Sequence, residues 1–377
     1  MAGAIAMKIY FCGSVVGNYR AQNIVKAIGD LGVKYSCIPF TYLLPTANGG
    51  SLSNFCALIL GILTIPSRLI LIALSSHVIV LPMNTTLKAM LEILIAKMLR
   101  KIIIVDYYIS QYDTIVNDLQ LASKNSLRGR IALFKDRFLL KAADTVVFLN
   151  HSESTYYQRV AGVKLNSERI SIIPLCIDYR RELFENRRRV DESFNVCWWG
   201  TYIPLHGLEN VIKSFSFISN NKIKLYIFGN SDIKSKPYID LIKSLGLESQ
   251  IIVNNSYSFS NGKLAPFLSQ HCDLAIGNFG KSEKAKTVLV NKLVDALSLG
   301  IPCLTMETRA IVELLQGSQG LIISESEPES IATQIEKYSV RKDILKEIGE
   351  AGKRAYFDLF SPDSFKIKLI SVLKSNI

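Results

Sequence analysis

The 377-residue chain lacks the cysteine and histidine patterns of zinc and disulfide proteins. Its seven cysteines are scattered, mostly in apolar runs, and no two are spaced as CxxC. The four histidines form no ligand cluster, which argues against a structural metal site. We interpret the cysteines as buried free thiols in a reducing compartment, and this predicts a cytoplasmic protein.

Long apolar runs are also missing. The most apolar segment, residues 55–81, is interrupted by Pro66, Arg68 and His77, so it holds no run of about 18 apolar residues that could span a bilayer. We expect a buried helix there, followed by a buried strand over 77–81. The N-terminal MAGAIAMKIYFCG has a short apolar stretch without a basic start, so no secretory signal is expected.

Two glycine-rich nucleotide motifs are absent as well. Gly13 and Gly17 follow the first predicted strand, but the fingerprint GxGxxG does not occur, so NAD and FAD are not expected. The run from Gly280 to Ser282 resembles part of a P-loop, yet Ala275 stands where that motif needs its first glycine. Gly13 and Gly17 predict a tight turn, or a close approach of backbone N–H groups to an anion beside the helix that Arg20 opens.

Short apolar runs alternate with helical patterns along the chain, which is typical of βαβ units and a parallel sheet. The pattern is interrupted by the charged stretch YRRELFENRRRVDES and then restarts. We expect an α/β protein with two doubly wound lobes, residues 1–180 and 195–377, joined by a linker at 181–194. The last helix is free to pack back on the first lobe. Ligands of such sheets bind at the carboxyl ends of the strands, here in a cleft between the lobes.

Positive charge is concentrated in the first lobe. Residues 1–140 carry 14 Lys and Arg against 6 Asp and Glu, a net charge of +8, whereas residues 191–377 carry 21 against 20. This asymmetry predicts an acidic partner of the first lobe: anionic lipid, a phosphorylated acceptor or nucleic acid. The alternative is a basic soluble surface without such a partner. Because aromatic residues are not interleaved with the basic ones, we expect no specific nucleic-acid binding. The apolar region 55–74 beside a basic helix over 86–101 favours peripheral attachment to the inner face of a membrane.

Three spaced segments of the second half carry the strongest functional signal. WWGTYIPLHGLENVI (198–212) runs from a strand end to a His-Gly pair at a helix start, and LYIFGN (225–230) ends another strand in glycine. The third, GNFGKSEKAKTVLVNKLVDALSLGIPCLT (277–305), places an acidic residue five positions before a G-x-P. Together these segments resemble family 4 of the GT-B glycosyltransferases and its relatives, most clearly over 195–310.

The resemblance implies a GT-B fold, with two Rossmann-like lobes facing a cleft. It also implies transfer of a sugar from a nucleoside diphosphate to a hydroxyl acceptor, with retention of configuration, in glycan, polysaccharide or glycolipid synthesis. No DxD triplet occurs, which argues against the metal-dependent single-lobe class. The nucleotide sugar is then a co-substrate, with no further cofactor and no metal. Segments 106–118 and 142–148 of the first lobe resemble one bacterial branch of the family.

The resemblance also implies the residues that bind the donor. Asp295 lies five residues before Gly300 and matches the glutamate that accepts from the ribose hydroxyls. Asn291 and Lys292 precede it by one helical turn and lie near the start of the helix. Backbone N–H groups at a helix start favour the negative charge of a diphosphate. The other donor-binding residues implied are Gly200, Thr201, His206, Gly207 and Gly229.

The chain departs from the family at three positions of the expected donor site. Thr201 and His206 stand where the family has arginine and lysine, and Thr287 replaces its second glutamate. The related branch carries KAxxVxxNK, which residues 284–292 match. Lys284 therefore supplies the missing positive charge in this interpretation and acts catalytically on the departing diphosphate.

The acceptor side is predicted from the first lobe. Asp106 follows a strand, so we expect it either to orient or deprotonate the acceptor hydroxyl, or to cap a helix or loop. Gly13, Gly17, Arg20 and Asp113 are the other residues expected there. The acceptor itself is expected to be a glycan or a lipid-linked molecule.

Two alternatives to a transferase stay open. Thr201 and Thr287 would also suit a non-catalytic GT-B subunit that binds a partner. A sugar-nucleotide epimerase or a phosphorylase is the other alternative. It would need convergent carboxylates or a cofactor lysine, and the sequence shows neither constellation.

Overall fold

The computed structural model describes residues 7–15, 18–38, 63–83, 87–178, 193–316 and 320–375. Contacts divide the chain into two compact lobes, Met1–Cys176 with Phe365–Ile377 and Ile177–Ser364. Each lobe contains a six-stranded parallel sheet with helices, so the predicted fold class is confirmed. Of the predicted linker, residues 181–194, only the last two residues lie within the described part.

The first lobe alternates strands and helices. Its elements are β1 (Lys8–Cys12), α1 (Tyr19–Asp30), β2 (Lys34–Cys37), α2 (Ile65–Ala73), β3 (His77–Val80), α3 (Leu87–Met98), β4 (Ile102–Asp106), a π-helical segment (Asp113–Asp118), α4 (Leu127–Ala142), β5 (Thr145–Phe148), α5 (His151–Ala161) and β6 (Ile170–Ile172). The strand order is β2-β1-β3-β4-β5-β6. The order reverses between β1 and β3, and ligands of such sheets bind beyond the carboxyl ends of the strands at that point.

The second lobe repeats the pattern with a different strand order. Its elements are β7 (Phe194–Trp199), α6 (Leu208–Ser214), β8 (Ile223–Phe228), α7 (Asp232–Ser244), β9 (Ile251–Val253), α8 (Leu264–His271), β10 (Leu274–Ile276), α9 (Asn291–Ser298), β11 (Cys303–Thr305), α10 (Arg309–Leu315), β12 (Leu321–Ile323), α11 (Pro328–Ser339), α12 (Lys342–Leu359) and α13 (Pro362–Lys374). The order β12-β11-β10-β7-β8-β9 is that of a Rossmann sheet. Its reversal point lies between β7 and β10.

Uninterrupted apolar runs explain the strands of both sheets. β3 and β7 are buried at every position, as expected when helices cover both faces of a parallel sheet. In the first lobe, α2, α3, α4 and α5 supply one core cluster, while α1 and α13 supply the cluster that contains Ile9 and Ile24. Residues 365–373 of α13 thus complete the core of the first lobe.

The prediction of a buried helix within 55–81 is wrong for its described part. In α2 only Arg68 and Ile72 are buried, whereas Leu69 and Ile70 are exposed. The reason is that Arg68 turns inward to pair with Glu92 of α3, so the apolar side chains on the other sides of the helix point outward.

Three helices, α11 to α13, follow the last strand. β6 pairs with β5 over Ile170–Ile172, and the described residues after it, up to 178, lie outside the sheet. Among the described helices, none is both long and apolar enough to cross a membrane. Five of the six described cysteines are buried, and none of the six is in a disulfide.

Candidate functional site

The loops that follow β7 and β10 pack directly against each other at the reversal point of the second sheet. The N–H of Phe279 donates to the carbonyl of His206 at 3.2 Å. A Cβ placed on Gly207 would collide with the backbone of Phe279, and one on Gly280 with the carbonyl of Leu205. Gly207 also has a φ of 63°, which favours glycine. Because Gly207 and Gly280 have no side chains, the backbones of the two loops are in direct contact.

Three of the predicted donor-binding residues come together here. A Cβ built on Gly200 would lie 3.4 Å from Cε1 of His206 and 3.5 Å from Cε of Lys292. The His206 ring nitrogen Nδ1 lies 3.0 Å from the carbonyl oxygen of Thr201, so Nδ1 carries the proton in this bond. The sequence spreads these residues over more than 90 positions, and the sheet brings them to one edge.

Lys292 is the most unusual side chain of the cluster. It is 3% exposed, and its Nζ has no hydrogen-bonding partner among the described residues. Nζ lies 4.0 Å from the centre of the Trp198 ring. Burial lowers the pKa of the Lys292 amine well below its usual value, although Cys303 and Asp295 oppose the shift. A buried amine without a partner costs free energy in the unliganded protein, and a bound anion would supply the partner.

His206 is electrostatically coupled to this amine. Burial lowers the pKa of His206 well below 6.5, and the nearby Lys292 lowers it further. Burial therefore disfavours the charged form of both groups. An anionic ligand would favour their charged forms instead.

Asp295 lies one turn after Lys292 on α9. Its Oδ2 accepts a hydrogen bond from Nε1 of Trp199 at 2.8 Å, and the residue is 6% exposed. The helix itself begins at Asn291, and the N-cap residue Val290 provides no side-chain cap. The start of α9 therefore combines backbone N–H groups, a lysine and a fixed carboxylate in a single turn.

Lys284 lies in the turn that precedes α9 and is 8% exposed. Ser282 caps this turn by accepting from the N–H of Ala285 at 3.1 Å. Asn278 braces it from β10, since Nδ2 donates to the carbonyl of Ala285 at 2.8 Å. Thr287 is fully buried and its hydroxyl donates to the carbonyl of Glu283 at 2.7 Å, so this position carries a satisfied hydroxyl where the family has a carboxylate.

Gly229 makes room for an aromatic stack. A Cβ at this position would collide with the ring of Tyr202. That ring stacks on Trp198 at 5.7 Å between centroids, and its hydroxyl donates to Asn255 at 2.6 Å. The structure thus gives Gly229 a packing role, and a role in donor binding stays a prediction.

In the first lobe, Arg20 and Asp106 form a buried ion pair. Nε of Arg20 donates to both carboxylate oxygens, at 2.9 and 3.0 Å, and the residues are 1% and 6% exposed. The guanidinium also donates to the carbonyls of Ile173 and Pro174 at 3.0 Å. The pair therefore ties α1, β4 and the segment after β6 together. Catalysis by Asp106 stays a prediction from the sequence.

The other described acceptor-side residues, Gly13 and Asp113, lie in different parts of the first lobe. Asp113 is fully buried in the π-helical segment and accepts from the hydroxyl of Tyr156 at 2.6 Å and from Asn117 at 2.8 Å. Gly13 follows β1 with a φ of 137°, a conformation that L side chains rarely adopt. Gly17 lies outside the described residues. No group of three or more His, Cys, Asp and Glu in the described ranges is arranged to hold a metal ion.

Residues 180–355, nearly the whole of the second lobe, match the family of glycosyl transferases group 1. The predicted resemblance to GT-B glycosyltransferases is thereby confirmed. No curated protein is significantly similar to the chain in sequence.

Solved glycosyltransferases share the fold over the full length. Anabaena HepE in complex with UDP-glucose is 13% identical, with a TM-score of 0.66 over 98% of this chain and 100% of HepE. Sucrose-phosphate synthase from Thermosynechococcus elongatus is 13% identical, with a TM-score of 0.69 over 98% of both chains. A glycosyltransferase from Rickettsia africae is 11% identical, with a TM-score of 0.64 over 98% of both. These likenesses show that both lobes have the GT-B fold.

Two residues that shape the site of this GT-B protein were not predicted from the sequence. Trp199 fixes the Asp295 carboxylate, and Asn278 braces the Lys284 turn. Trp199 lies in the WWG segment, so a signal was present, but indole donors in strands are commonly buried for packing alone. Asn278 directly follows a strand end, where polar residues often serve only to cap a turn.

Proposed function

We propose that the protein transfers a sugar from a nucleoside diphosphate to a hydroxyl acceptor. The observation that carries this proposal is the buried, unpartnered amine of Lys292 at the start of α9, one turn before Asp295. A diphosphate would give the amine its missing partner and would lie where helix N–H groups favour negative charge. Asp295 would then accept from the ribose hydroxyls.

The donor base is proposed to be uracil. HepE, which shares the fold, has been crystallised with UDP and with UDP-glucose. In the reaction, the bond between the sugar and the diphosphate oxygen breaks and a glycosidic bond to the acceptor oxygen forms. The acceptor proton leaves with the diphosphate or to solvent. Lys284 neutralises the charge that develops on the leaving group, and the resemblance implies retention of configuration without a metal.

The acceptor is proposed to be a glycan or a lipid-linked molecule used at the cytoplasmic side of a membrane. The basic first lobe supports an acceptor that carries phosphate, because the excess of positive charge is confined to residues 1–190. This excess does not identify the sugar or the acceptor hydroxyl.

A thermal-shift screen of UDP-, GDP-, ADP- and CMP-sugars tests the donor assignment. A ligand present at about one hundred times its dissociation constant adds about 2.7 kcal/mol of stability. We expect UDP-sugars to raise the unfolding temperature and Lys292→Ala to reduce the rise, whereas Lys346→Ala, a change at an exposed lysine on α12, leaves it intact. If no nucleotide sugar stabilises the parent protein, the proposed donor site is wrong.

A non-catalytic partner subunit is the second candidate. It is favoured by Thr287, whose buried hydroxyl occupies the position of a family carboxylate. Such a subunit would still bind the nucleotide sugar but would neither hydrolyse nor transfer it. Release of UDP from a UDP-sugar that stabilises the protein, measured with and without candidate acceptors, decides between the two.

A further inference from the structure

The exposed apolar side chains of the protein are concentrated in one part of the first lobe. Within the described residues, 14 large apolar side chains between residues 63 and 134 are exposed, against 8 in the whole second lobe. Soluble proteins scatter such residues singly over the surface. A concentration of this kind marks a contact surface.

Eight of these side chains belong to three helices that pack side by side. α2, α3 and α4 contact one another in that order and contribute Ile72, Ile93 and Leu139 to the same core cluster, so they cover the same side of the sheet. Their outward sides carry the exposed residues. We call these residues the apolar face: Leu69, Ile70, Leu91, Leu94, Met98, Leu127, Ile131 and Phe134.

A groove opens at the edge of this face. It lies between the π-helical segment and α4 and has a volume of about 480 Å³. Ile115, Leu127 and Ile131 give it an apolar lining, while Arg128 and Lys135 bring the charged groups. No acidic residue lines it. An apolar channel with two cations fits the hydrocarbon and phosphate of an anionic lipid.

Three acidic residues near the face are withdrawn from the surface. Glu92 is buried against Arg68, while Asp113 and Asp136 are fully buried in hydrogen bonds. The described exposed charges within α3 and α4 are basic: Lys97, Arg128, Arg130, Arg137 and Lys141. Arg100 and Lys124 beside them are also exposed, whereas the acidic neighbours are the half-buried Asp118 and the exposed Asp144. The face therefore presents apolar side chains together with positive charge. A bilayer with anionic headgroups is complementary to both properties, whereas protein interfaces usually exclude charge from their centre.

We propose that the apolar face binds the surface of an anionic membrane, with one lipid chain in the groove beside α4. The leucines and phenylalanine enter the headgroup region, and Arg128 and Lys135 contact lipid phosphates. This proposal is independent of the donor site, so its failure leaves the transferase proposal unaffected.

Flotation with vesicles tests the proposal on the full chain. We expect binding to phosphatidylglycerol–phosphatidylcholine vesicles that weakens with salt, and little binding to phosphatidylcholine alone. Each basic residue near an anionic surface contributes about 1 kcal/mol, which is about fivefold in affinity. The double variant Arg128→Gln/Lys135→Gln should therefore bind about 25-fold more weakly. The matched control Lys342→Gln/Lys346→Gln removes the same charge from α12 of the second lobe and should bind like the parent.

A second pair of variants examines the apolar contribution. Leu127→Ser/Phe134→Ser should reduce vesicle binding at least tenfold without lowering the unfolding temperature, because both side chains are exposed. Ile233→Ser/Val340→Ser makes the same change at exposed sites of the second lobe and should have no effect. Equal binding to neutral and anionic vesicles, loss of binding in the controls, or no binding by the parent protein would each overturn the proposal. So would self-association of the chain through Leu127 and Phe134 in place of vesicle binding.

Discussion

Replacing Lys292 with methionine is expected to stabilise the free protein and to weaken its binding of UDP. Methionine retains the length and volume of the lysine stem but lacks the amine. Lys292 is 3% exposed, and its amine has no hydrogen-bonding partner among the described residues. Burying such a group costs about 1–3 kcal/mol, so the variant should gain stability of that order. A hydrogen bond to a charged group contributes about 1.5–3 kcal/mol, so UDP should bind roughly 10- to 100-fold more weakly.

The gain in stability should also depend on pH. An unfolded lysine titrates near 10.5, and burial lowers the pKa of Lys292 in the folded protein. Between the two pKa values the unfolded chain binds more protons, so the stability of the parent protein rises with pH. The advantage of the methionine variant should therefore shrink as the pH approaches about 10.5. UDP binding to the parent should weaken over the same range, because the diphosphate favours the protonated amine.

Urea denaturation followed by circular dichroism, and calorimetric titration with UDP, measure the two effects. Lys346→Met is the matched control, since it makes the same change at an exposed lysine and should alter neither quantity. Calorimetry in buffers of different ionisation enthalpy should also detect proton uptake on UDP binding. A Lys292→Met protein that is less stable than the parent and binds UDP equally well would show that Lys292 is held by Trp198 as part of the core, and the reasoning would be refuted.

Three further variants probe the two lobes. Asp295→Ala should weaken UDP-sugar binding at least tenfold with the fold intact, because Trp199 holds this carboxylate at the start of α9; unchanged affinity by calorimetry would remove it from the site. Lys284→Ala should lower turnover more than donor affinity, because removing a group that stabilises the transition state costs about 10²–10³-fold; turnover within about twofold of the parent would contradict this role. Arg20→Met should cost about 3–5 kcal/mol in urea denaturation by leaving Asp106 buried without its partner, and Arg20→Met/Asp106→Leu should recover most of it; a loss below about 1 kcal/mol for the single variant would show that solvent reaches the pair.

The arrangement of strands and helices was largely predictable because burial decides it. Runs such as IIIVD and FNVCWW are mostly apolar on both sides, which only a covered parallel strand tolerates, and both form strands. Local signals are weaker for α7, which contains Pro237. It nevertheless begins at Asp232, because the Ser231 side chain caps it and the proline lies in its second turn.

The chemistry of the site was less predictable because it depends on contacts between distant residues. Lys284 and Lys292 look like surface lysines in the sequence, yet both are buried, and only the packing of α9 shows that Lys292 lies beside Trp198. The bond between Trp199 and Asp295 joins residues 96 positions apart. Asp106 shows the same limit, since its position after a strand could not reveal that Arg20 already occupies both carboxylate oxygens.

The place of α13 has a consequence for how the protein is made. Phe365, Leu369 and Val372 pack in one core cluster with Ile9 and Ile24, although about 340 residues separate the two groups along the chain. The second lobe is therefore inserted between two pieces of the first. During synthesis, the second lobe can fold as soon as its own sequence has left the ribosome, whereas the first lobe must wait with one side of its sheet uncovered. Completion of the first lobe is then the last folding step, and a chaperone that protects exposed apolar surface would be needed longest at the N-terminal part of the chain.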